Sequence, residues 1–354
     1  MRVSILINNY NYGRFVGAAI DSALAQTYPN VQVVVVDDGS TDDSWDVIQR
    51  YGQRIEAVRT VNGGQGSAYN EGMARAQGEW VLFLDSDDLL DADTVAACMA
   101  VASPGVSKVQ YRLRFIDRSG ALIGGGVPYL MHDDQDSPDQ VQRLIRRFGH
   151  YAGPPSSGNM YRRDAIARYF PMETHRWRRA ADTLPFLTAP LHGRVASINR
   201  ELGSYRLHRE GNRSTGVFGN INNSMRDVLI SEHMRRDVTL EWIERRAGIN
   251  VPGPFLPLPW SMRARALSWR MFPNDHPWPD DTAIRLLRLQ WRSLREWPGY
   301  SMFEKIVMLG WLALVVWLPL PLVRKIASTN TSGSIKAFVR RVLGSKAASS
   351  SEAT

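Results

Sequence analysis

An apolar stretch that ends in a cluster of acids constrains this chain more than any other feature. Residues 80–84 read Trp-Val-Leu-Phe-Leu, and Asp85, Asp87 and Asp88 follow within four positions. Five apolar residues are too few for a typical helix, but they suit a strand that is buried in a parallel sheet. Ligands of open α/β sheets bind outside the carboxyl ends of the strands. The stretch therefore predicts either a ligand site at residues 85–88 or a solvated acidic turn that begins the next helix.

The acids at residues 85–88 also predict a divalent cation. Clustered carboxylates repel each other and lose hydration when buried, unless a positive charge neutralises them. Mg²⁺ and Mn²⁺ prefer oxygen ligands, and Mg²⁺ sites typically combine one or two carboxylates with substrate phosphates. We therefore expect a Mn²⁺ or Mg²⁺ ion that is shared between these acids and a phosphorylated ligand.

The composition leaves several classes of partner open. The 354 residues are enough for one large domain with extensions or for two domains, and 44% of them are hydrophobic. The net charge of +8 permits an anionic partner, which is a nucleic acid, a membrane surface or a phosphorylated substrate. The single cysteine, Cys98, excludes an intramolecular disulfide. The first residues indicate a strand rather than a signal peptide.

Strand and helix patterns alternate in the N-terminal quarter of the chain. Apolar or β-branched runs predict strands at residues 3–7, 31–36, 55–60 and 80–84, and helical spacing separates them. This order predicts a parallel sheet with right-handed crossovers. The glycine-rich residues 62–66 open a helix whose first N–H groups would suit a phosphate. The GxGxxG fingerprint of nicotinamide-binding proteins is absent from this stretch.

Weaker patterns follow the acidic cluster. Alternating apolar and polar residues predict a half-exposed strand at residues 109–115, and the turn residues 117–120 then begin a hairpin. Residues 124–138 are typical of a loop. Two short strands are predicted at residues 195–198 and 202–207.

Four segments together resemble the glycosyltransferases of family 2, which have the GT-A fold. They are Val3–Asn11 (VSILINNYN), Val35–Asp42 (VVDDGSTD), Asn62–Gly66 (NGGQG) and Leu84–Asp88 (LDSDD). The resemblance extends less closely to about residue 214. It implies an α/β fold of GT-A type, with a mainly parallel open sheet flanked by helices. The helical patterns beyond it predict a helical C-terminal extension.

The resemblance also implies an activity. The family moves a sugar from a nucleotide diphosphate-sugar to a hydroxyl, with inversion at the anomeric carbon, and uracil is the usual base. Asp37 matches the acid that contacts the base, whereas Asp38 is free to cap the following helix. The residues implied to contact the nucleotide-sugar are Asn9, Asp37, Asp38, Gly64, Asp85, Asp87 and Arg206.

Other family positions carry over to later parts of the chain. Asp182 matches the general base that accepts the proton of the acceptor hydroxyl. The family often has Glu-Asp there and this chain has Ala181-Asp182, so a helix-capping role remains an alternative. The segment Ser157, Gly158 and Asn159 matches the acceptor side. The implied metal ligands are Asp85, Asp87, Asp88 and His208.

The C-terminal third indicates contact with a membrane. Eight of the eleven tryptophans lie beyond residue 240. Residues 284–295 form a helical pattern with an apolar stripe and an arginine stripe, which suits a membrane interface or packing on the catalytic domain. Residues 306–323 carry no charge, but Pro319 and Pro321 interrupt them. They therefore dip into a membrane, or alternatively form a core helix.

These patterns predict four segments. Residues 1–215 form the catalytic domain, 216–300 a helical extension, 301–326 a hydrophobic membrane-associated segment and 327–354 a basic, serine-rich and disordered tail. We expect a glycosyltransferase for cell-surface polysaccharide or glycoconjugate, with a glycan or lipid-linked acceptor, held at the cytoplasmic face of a membrane near residues 306–323. The alternative is a sugar-nucleotide nucleotidyltransferase. A nucleic-acid module is disfavoured because the acids would face phosphates.

Overall fold

The computed structural model describes residues 1–135, 137, 139–208 and 225–329. The chain separates into two compact units, of which the first contains residues 1–207 and 234–254. The second contains the described residues of 208–233 and of the chain from 255 onward. The last positions of the family resemblance, 209–214, and most of the predicted tail, 330–354, lie outside the described residues.

The first unit is built on one sheet of nine strands among the described residues. The strands are β1 Val3–Asn9, β2 Val31–Asp37, β3 Glu56–Arg59, β4 Trp80–Asp85, β5 Leu89–Leu90, β6 Val106–Ile116, β7 Leu122–Val127, β8 Asn159–Arg162 and β9 Arg194–Arg206. The helices are α1 Gly13–Leu24, α2 Ser44–Gln49, α3 Gln65–Arg75, α4 Thr94–Val101, α5 Gln140–Phe148, α6 Arg163–Ala167, α7 Thr183–Thr188 and α8 Met225–Ala247, the last of which begins in the second unit.

The four N-terminal strands are parallel in the order β3-β2-β1-β4, which confirms the predicted arrangement. β1, β2 and β4 are buried almost throughout because helices cover both faces of the sheet. Val16 and Ile20 of α1 pack into the core on one face. On the other face, Gly72 of α3 lies against the side chain of Leu6. Because both faces of these strands are buried, successive residues along them are apolar.

The remaining strands make the sheet mixed. β8 is antiparallel to both β4 and β6, and β6 is parallel to β9. β7 forms the predicted hairpin with β6, although it occupies residues that were expected to be a loop. β9 is one strand with register shifts along its pairing with β6, whereas two short strands were predicted. The prediction that β6 is half exposed is wrong for its first half, because β8 and β9 flank it there.

The second unit is helical in its described part. Its helices are α9 Ser261–Met271, α10 Ala283–Glu296, α11 Met302–Trp317 and α12 Leu320–Thr329. They share one apolar cluster, which includes Leu267, Leu286 and Leu312. The predicted apolar segment is divided between α11 and α12 at Leu318 and Pro319, since proline ends a helix. Among the described residues, no helix combines the length and the apolar character needed to cross a bilayer.

A lysine is buried in the core of the first unit beside aromatic rings. The Nζ of Lys108, on β6, donates to Tyr151 Oη at 2.6 Å and to Gln110 Oε1 at 3.1 Å. It also lies 3.9 Å from the ring centroid of Phe186. The side chain has no solvent exposure, and burial lowers the pKa of Lys108 well below its usual value. The protonated form of this lysine therefore costs stability at neutral pH.

Replacing Lys108 with methionine should change the pH dependence of folding. A lysine whose pKa is lowered on folding binds its proton more tightly in the unfolded chain, so the wild type gains stability as the pH rises. The free energy of unfolding of the wild type, minus that of Lys108→Met, should increase with pH by up to about 1.4 kcal/mol per pH unit and level off near about pH 10.4. Urea unfolding at several pH values measures this difference. A difference that stays constant with pH would contradict the prediction.

Candidate active site

Polar side chains meet where three parallel strands end. Asn9 of β1 lies opposite Asp37 of β2, and Asn8 lies opposite Asp85 of β4. The side-chain amide of Asn9 donates to Asp37 Oδ1 at 2.8 Å, and that of Asn8 donates to Asp85 Oδ1 at 3.2 Å. The strand register thus brings together Asn9 and Asp37, which were both predicted to contact the nucleotide. It also places Asn8, which was not predicted, at the same edge of the sheet. The sequence signal for Asn8 was its position directly before Asn9 at the strand end.

The two acids at the end of β2 form hydrogen bonds with different segments of the chain. Asp37 is fully buried, and its carboxylate accepts from Asn9 and Ser40 and lies 3.5 Å from Arg59 Nε. These bonds occupy its oxygens within the chain, and its contact with a nucleotide base stays a prediction. Asp38 accepts from the backbone N–H groups of Gly63 at 2.9 Å and Gly64 at 2.7 Å.

Asp38 holds the glycine-rich turn rather than a helix end. We expected it to cap the helix that follows β2, but that helix, α2, begins after Asp43 and has no side-chain cap. Burial raises the pKa of Asp38, and its hydrogen bonds from Gly63 and Gly64 oppose the rise. Asp38 and Gly64, which were both predicted to contact the nucleotide-sugar, are therefore hydrogen-bonded to each other.

The start of α3 is covered by backbone, so the expected phosphate site is not open there. Gln65 N donates to Arg178 O at 3.0 Å, and Gly66 N donates to Trp177 O at 2.8 Å. A Cβ at Gly64 would lie 2.6 Å from Arg178 O, and the φ of 88° at Gly64 also favours glycine. The glycines are thus needed for the close approach of the loop at residues 177–178.

The same loop carries Asp182, the predicted general base. Gln65 Oε1 accepts from Ala181 N at 2.9 Å, next to Asp182 in the chain. Asp182 precedes α7 but makes no side-chain capping hydrogen bond, so the capping alternative has no support from this contact. Burial raises the pKa of Asp182, and the charge of Arg235 opposes the rise. A carboxyl with a raised pKa is better suited to accept a proton than an ordinary surface acid.

Asp182 belongs to the same electrostatic cluster as the acids that follow β4. Burial raises the pKa of Asp85 to about 7, and the charges of Asp87 and Asp182 add to the rise. Asp88 is 1% exposed, and burial followed by the charges of Asp87 and Asp85 raises its pKa well above the usual value. The structure therefore brings the candidate base and all three predicted metal-binding acids together, although they lie almost 100 residues apart in sequence.

The four predicted metal ligands differ in how well they suit a cation. Asp88 Oδ2 accepts from Ser157 Oγ at 2.6 Å and Asp88 Oδ1 accepts from Arg206 N at 2.9 Å, so both oxygens already have donors. Asp85 and Asp87 are half-buried oxygen donors whose mutual repulsion a divalent cation would relieve.

The full predicted ligand set is not assembled in the described part of the chain. No group of three or more histidine, cysteine or acidic side chains there is arranged to hold a metal ion. His208 belongs to the second unit, and its metal role stays a prediction. The donor chemistry therefore fits a cation at Asp85 and Asp87, with Asp88 engaged in holding its neighbours.

The predicted acceptor segment lies inside the protein. Ser157 and Asn159 are 0% and 1% exposed, and Gly158 is buried as well. Ser157 accepts from Asp85 N at 3.1 Å while it donates to Asp88. The amide of Asn159 donates to the carbonyl of Pro155 at 2.7 Å. Ser157 therefore positions the acids, and the contact of this segment with an acceptor stays a prediction.

Arg206, which was predicted to contact phosphate, lies at the end of β9, where hydrogen bonds hold its side chain. Its Nε donates to Asp87 O at 2.8 Å and its Nη1 donates to Asp117 O at 2.7 Å. Its guanidinium lies 4.9 Å from the ring centroid of Phe15. Burial lowers the pKa of Arg206, although the charges of the nearby acids oppose this. Arg206 therefore places a positive charge beside the acids, and its contact with a phosphate stays a prediction.

Comparison with known proteins agrees with this arrangement. The model of the family described as glycosyl transferase family 2 matches residues 4–170. An uncharacterised glycosyltransferase of Nostoc sp. is 34% identical over 222 residues, which are 61% of this chain and 68% of that protein. The chain belongs to glycosyltransferase family 2. Its activity is therefore that of a glycosyltransferase.

Other relatives of this glycosyltransferase carry more specific names. Poly(ribitol-phosphate) beta-N-acetylglucosaminyltransferase TarS of Staphylococcus aureus is 27% identical over 62% of this chain and 38% of its own length. Chondroitin synthase of Escherichia coli is 36% identical over 35% of this chain and 19% of its own length. These sequence matches thus cover well under half of either protein.

A crystal structure of S. aureus TarS has a TM-score of 0.50 with the enzyme at 17% identity, over 92% of this chain and 54% of the other. The fold is of the GT-A type, as predicted.

Removing the hydroxyl of Ser157 should destabilise the enzyme. Ser157→Ala leaves Oδ2 of the buried Asp88 without its donor and the N–H of Asp85 without its acceptor, which should lower the free energy of unfolding by about 1–3 kcal/mol. Urea unfolding measures the loss. The control is Ser119→Ala, which removes an exposed hydrogen bond to Asp117 and should cost less than about 0.5 kcal/mol. Equal losses in the two variants would contradict the structural role of Ser157.

Proposed function

We propose that this enzyme moves a sugar from a UDP-sugar to a hydroxyl of a glycan or lipid-linked acceptor, with inversion, in the synthesis of a cell-surface polysaccharide or glycoconjugate. The observation that carries the proposal is that Asp85, at the carboxyl end of the parallel strand β4, interacts electrostatically with both Asp87 and Asp182. The names of the relatives TarS and chondroitin synthase support a polymeric glycan as the acceptor.

The donor is assigned to the edge formed by β1, β2 and β4. Asn9, Asp37, Asp38 and Gly64 shape the nucleotide end of this edge, and Asp85 and Asp87 shape the diphosphate end. A bound Mn²⁺ or Mg²⁺, held by Asp85 and Asp87, would neutralise charge on the departing nucleoside diphosphate. Arg206 contributes a further positive charge at the same end.

Asp182 is assigned as the general base. Inversion in a single displacement needs one group to take the proton of the acceptor hydroxyl as it attacks from the face opposite the leaving group. The raised pKa of Asp182 moves this carboxyl toward the operating pH, where a base is most effective. The contacts of Gln65 with Ala181 and of Gly66 with Trp177 fix the loop from which Asp182 extends.

Two further elements of the proposal concern specificity and location. The choice of uridine rests on the family resemblance, and the lipid-linked acceptor rests on the proposed position at the cytoplasmic face of a membrane, near residues 306–323. The alternative activity, that of a nucleotidyltransferase, normally uses a glycine-rich, basic loop near the first strand. It receives no support from residues 8–13 (NNYNYG), which contain no basic residue.

Nucleotide binding tests the donor site directly. In calorimetric titrations of UDP, GDP and dTDP with and without Mn²⁺, UDP should bind in a metal-dependent manner and more tightly than the other two. Asp87→Asn should weaken binding at least tenfold, because it removes one charge-assisted contact, which contributes about 1.5–3 kcal/mol. Asp46→Asn, on the exposed surface of α2, is the matched control and should bind like the wild type. Metal-independent binding would contradict the proposed cation, and preference for GDP or dTDP would contradict the uridine assignment.

Substitutions at Asp182 and Gln65 test the assignment of the base. Asp182→Asn should lower kcat about 10²–10⁴-fold while UDP affinity stays close to that of the wild type. Gln65→Met removes the acceptor for Ala181 N and should lower kcat about fivefold, since one hydrogen bond of about 1 kcal/mol no longer orients the loop. Gln49→Met, at an exposed position of α2, is the control. Steady-state transfer on an extract of native acceptors measures kcat, and near-normal turnover of Asp182→Asn would contradict the assignment.

A further inference from the structure

Helix α11 is apolar on two opposite faces. Leu312, Val315 and Val316 are buried in the cluster of the second unit. The side chains on the opposite face of the helix are exposed to solvent. Its large side chains are Phe303, Ile306, Leu314 and Trp317, with exposures of 55%, 59%, 48% and 65%. They extend over about 21 Å at about 1.5 Å per residue. An apolar face of this length on a soluble protein usually marks an interaction site.

An apolar stripe was predicted along helix α10, and two of its residues are exposed to solvent. Ile284 and Trp291 are 58% and 52% exposed, whereas the polar Gln290 and Ser293 are buried. Three arginines share the exposed face with Trp291, namely Arg288, Arg292 and Arg295. None of these three has an ion pair, a side-chain hydrogen bond or a ring contact within the described chain, in contrast to Arg285, which pairs with Asp280 and Asp281.

The exposed faces of α10 and α11 both lie opposite the apolar cluster of the second unit. Both helices pack against each other and against α9. Their buried residues, such as Leu286 and Leu312, meet those of α9 in one cluster. The faces turned away from that cluster are therefore the outer faces of two helices that contact each other. We call this surface, formed by Arg288, Trp291, Arg292, Arg295, Ile306 and Trp317, the α10–α11 face.

We propose that the α10–α11 face binds the headgroup region of a bilayer that contains anionic phospholipid. Tryptophan prefers the boundary between headgroups and hydrocarbon, and arginine without a protein partner can pair with lipid phosphate. A helix of this kind lies in the plane of the interface, with its apolar face inserted. The inference rests on the membrane location in the proposed function and deepens it by naming the surface and the lipid.

A bilayer suits the charge of this face better than a second copy of the chain. A symmetric dimer brings the same patch of both copies together. It would place the three unpaired arginines of each copy close to those of the other, with like charges that repel. Anionic lipid supplies the missing negative charges instead, and the net charge of +8 acts in the same direction.

Flotation with vesicles tests the inference on the full chain. The wild type should float with vesicles of phosphatidylcholine and phosphatidylglycerol, and should bind vesicles of phosphatidylcholine alone more weakly. The triple variant Arg288→Gln, Arg292→Gln, Arg295→Gln should partition roughly a hundredfold more weakly into the anionic vesicles, since each arginine near an anionic surface contributes about 1 kcal/mol. The double variant Ile306→Gln, Trp317→Gln should lose binding to both kinds of vesicle.

A matched control separates a specific surface from net charge. The triple variant Arg50→Gln, Arg118→Gln, Arg168→Gln removes the same charge from exposed positions of the first unit and should float like the wild type. Equal weakening in the two triple variants would overturn the inference. So would a wild-type chain that stays with the unbound fraction, or a dimer in sedimentation that dissociates in the Ile306→Gln, Trp317→Gln variant.

Circular dichroism of the same samples shows that each variant keeps its helices, and UDP binding shows that the donor site is intact. UDP binding also separates the two proposals, because loss of flotation with normal UDP binding concerns only the membrane surface. Flotation without UDP binding in the wild type would instead contradict the donor site and leave the lipid surface supported.

Discussion

The register of three parallel strands is the constraint on which the rest of the first unit depends. Because β1 pairs with β2 and β4 in step, Asn8 and Asn9 lie level with Asp85 and Asp37 at one edge of the sheet. A slip by one residue would turn each of these side chains to the other face. The burial of Ile5, Val35 and Leu82 on the sheet faces is what fixes the register. Apolar packing in the core thus determines the positions of the polar groups at its edge.

Hydrogen bonds hold the acids at that edge in place and offset part of the electrostatic repulsion between them. Asp88 is bonded by Ser157 and by the backbone of Arg206, so its burial does not leave an oxygen without a donor. Asp85 and Asp87 still repel each other, and burial together with the charges of Asp87 and Asp182 raises the pKa of Asp85 to about 7. A site with such residual strain binds a cation better than a fully satisfied network would, because the ion relieves the repulsion. The same three acids therefore divide into one that supports the structure and two suited to ligand binding.

The parts of this arrangement that depend on local sequence could be predicted, and those that depend on distant pairing could not. Apolar runs predicted the four parallel strands, and acids directly after two of them indicated the ligand edge. The burial of Lys108 could not be foreseen, because its neighbours on β8 and β9 come from more than 50 residues further along the chain. For the same reason the segment at Ser157 was interpreted as a surface for the acceptor. Only the pairing of β8 with β4 and β6 shows that it is covered.

The glycine-rich turn shows how one local pattern can serve a purpose different from its usual one. Glycines at a helix start commonly expose backbone N–H groups to phosphate, and that was the expectation for residues 62–66. Here the absent side chains of Gly64 and Gly66 instead admit the carbonyls of Arg178 and Trp177. Asp38 holds the other side of the same turn through Gly63 and Gly64. The turn is therefore hydrogen-bonded both to Asp38, just after β2, and to the loop that precedes Asp182.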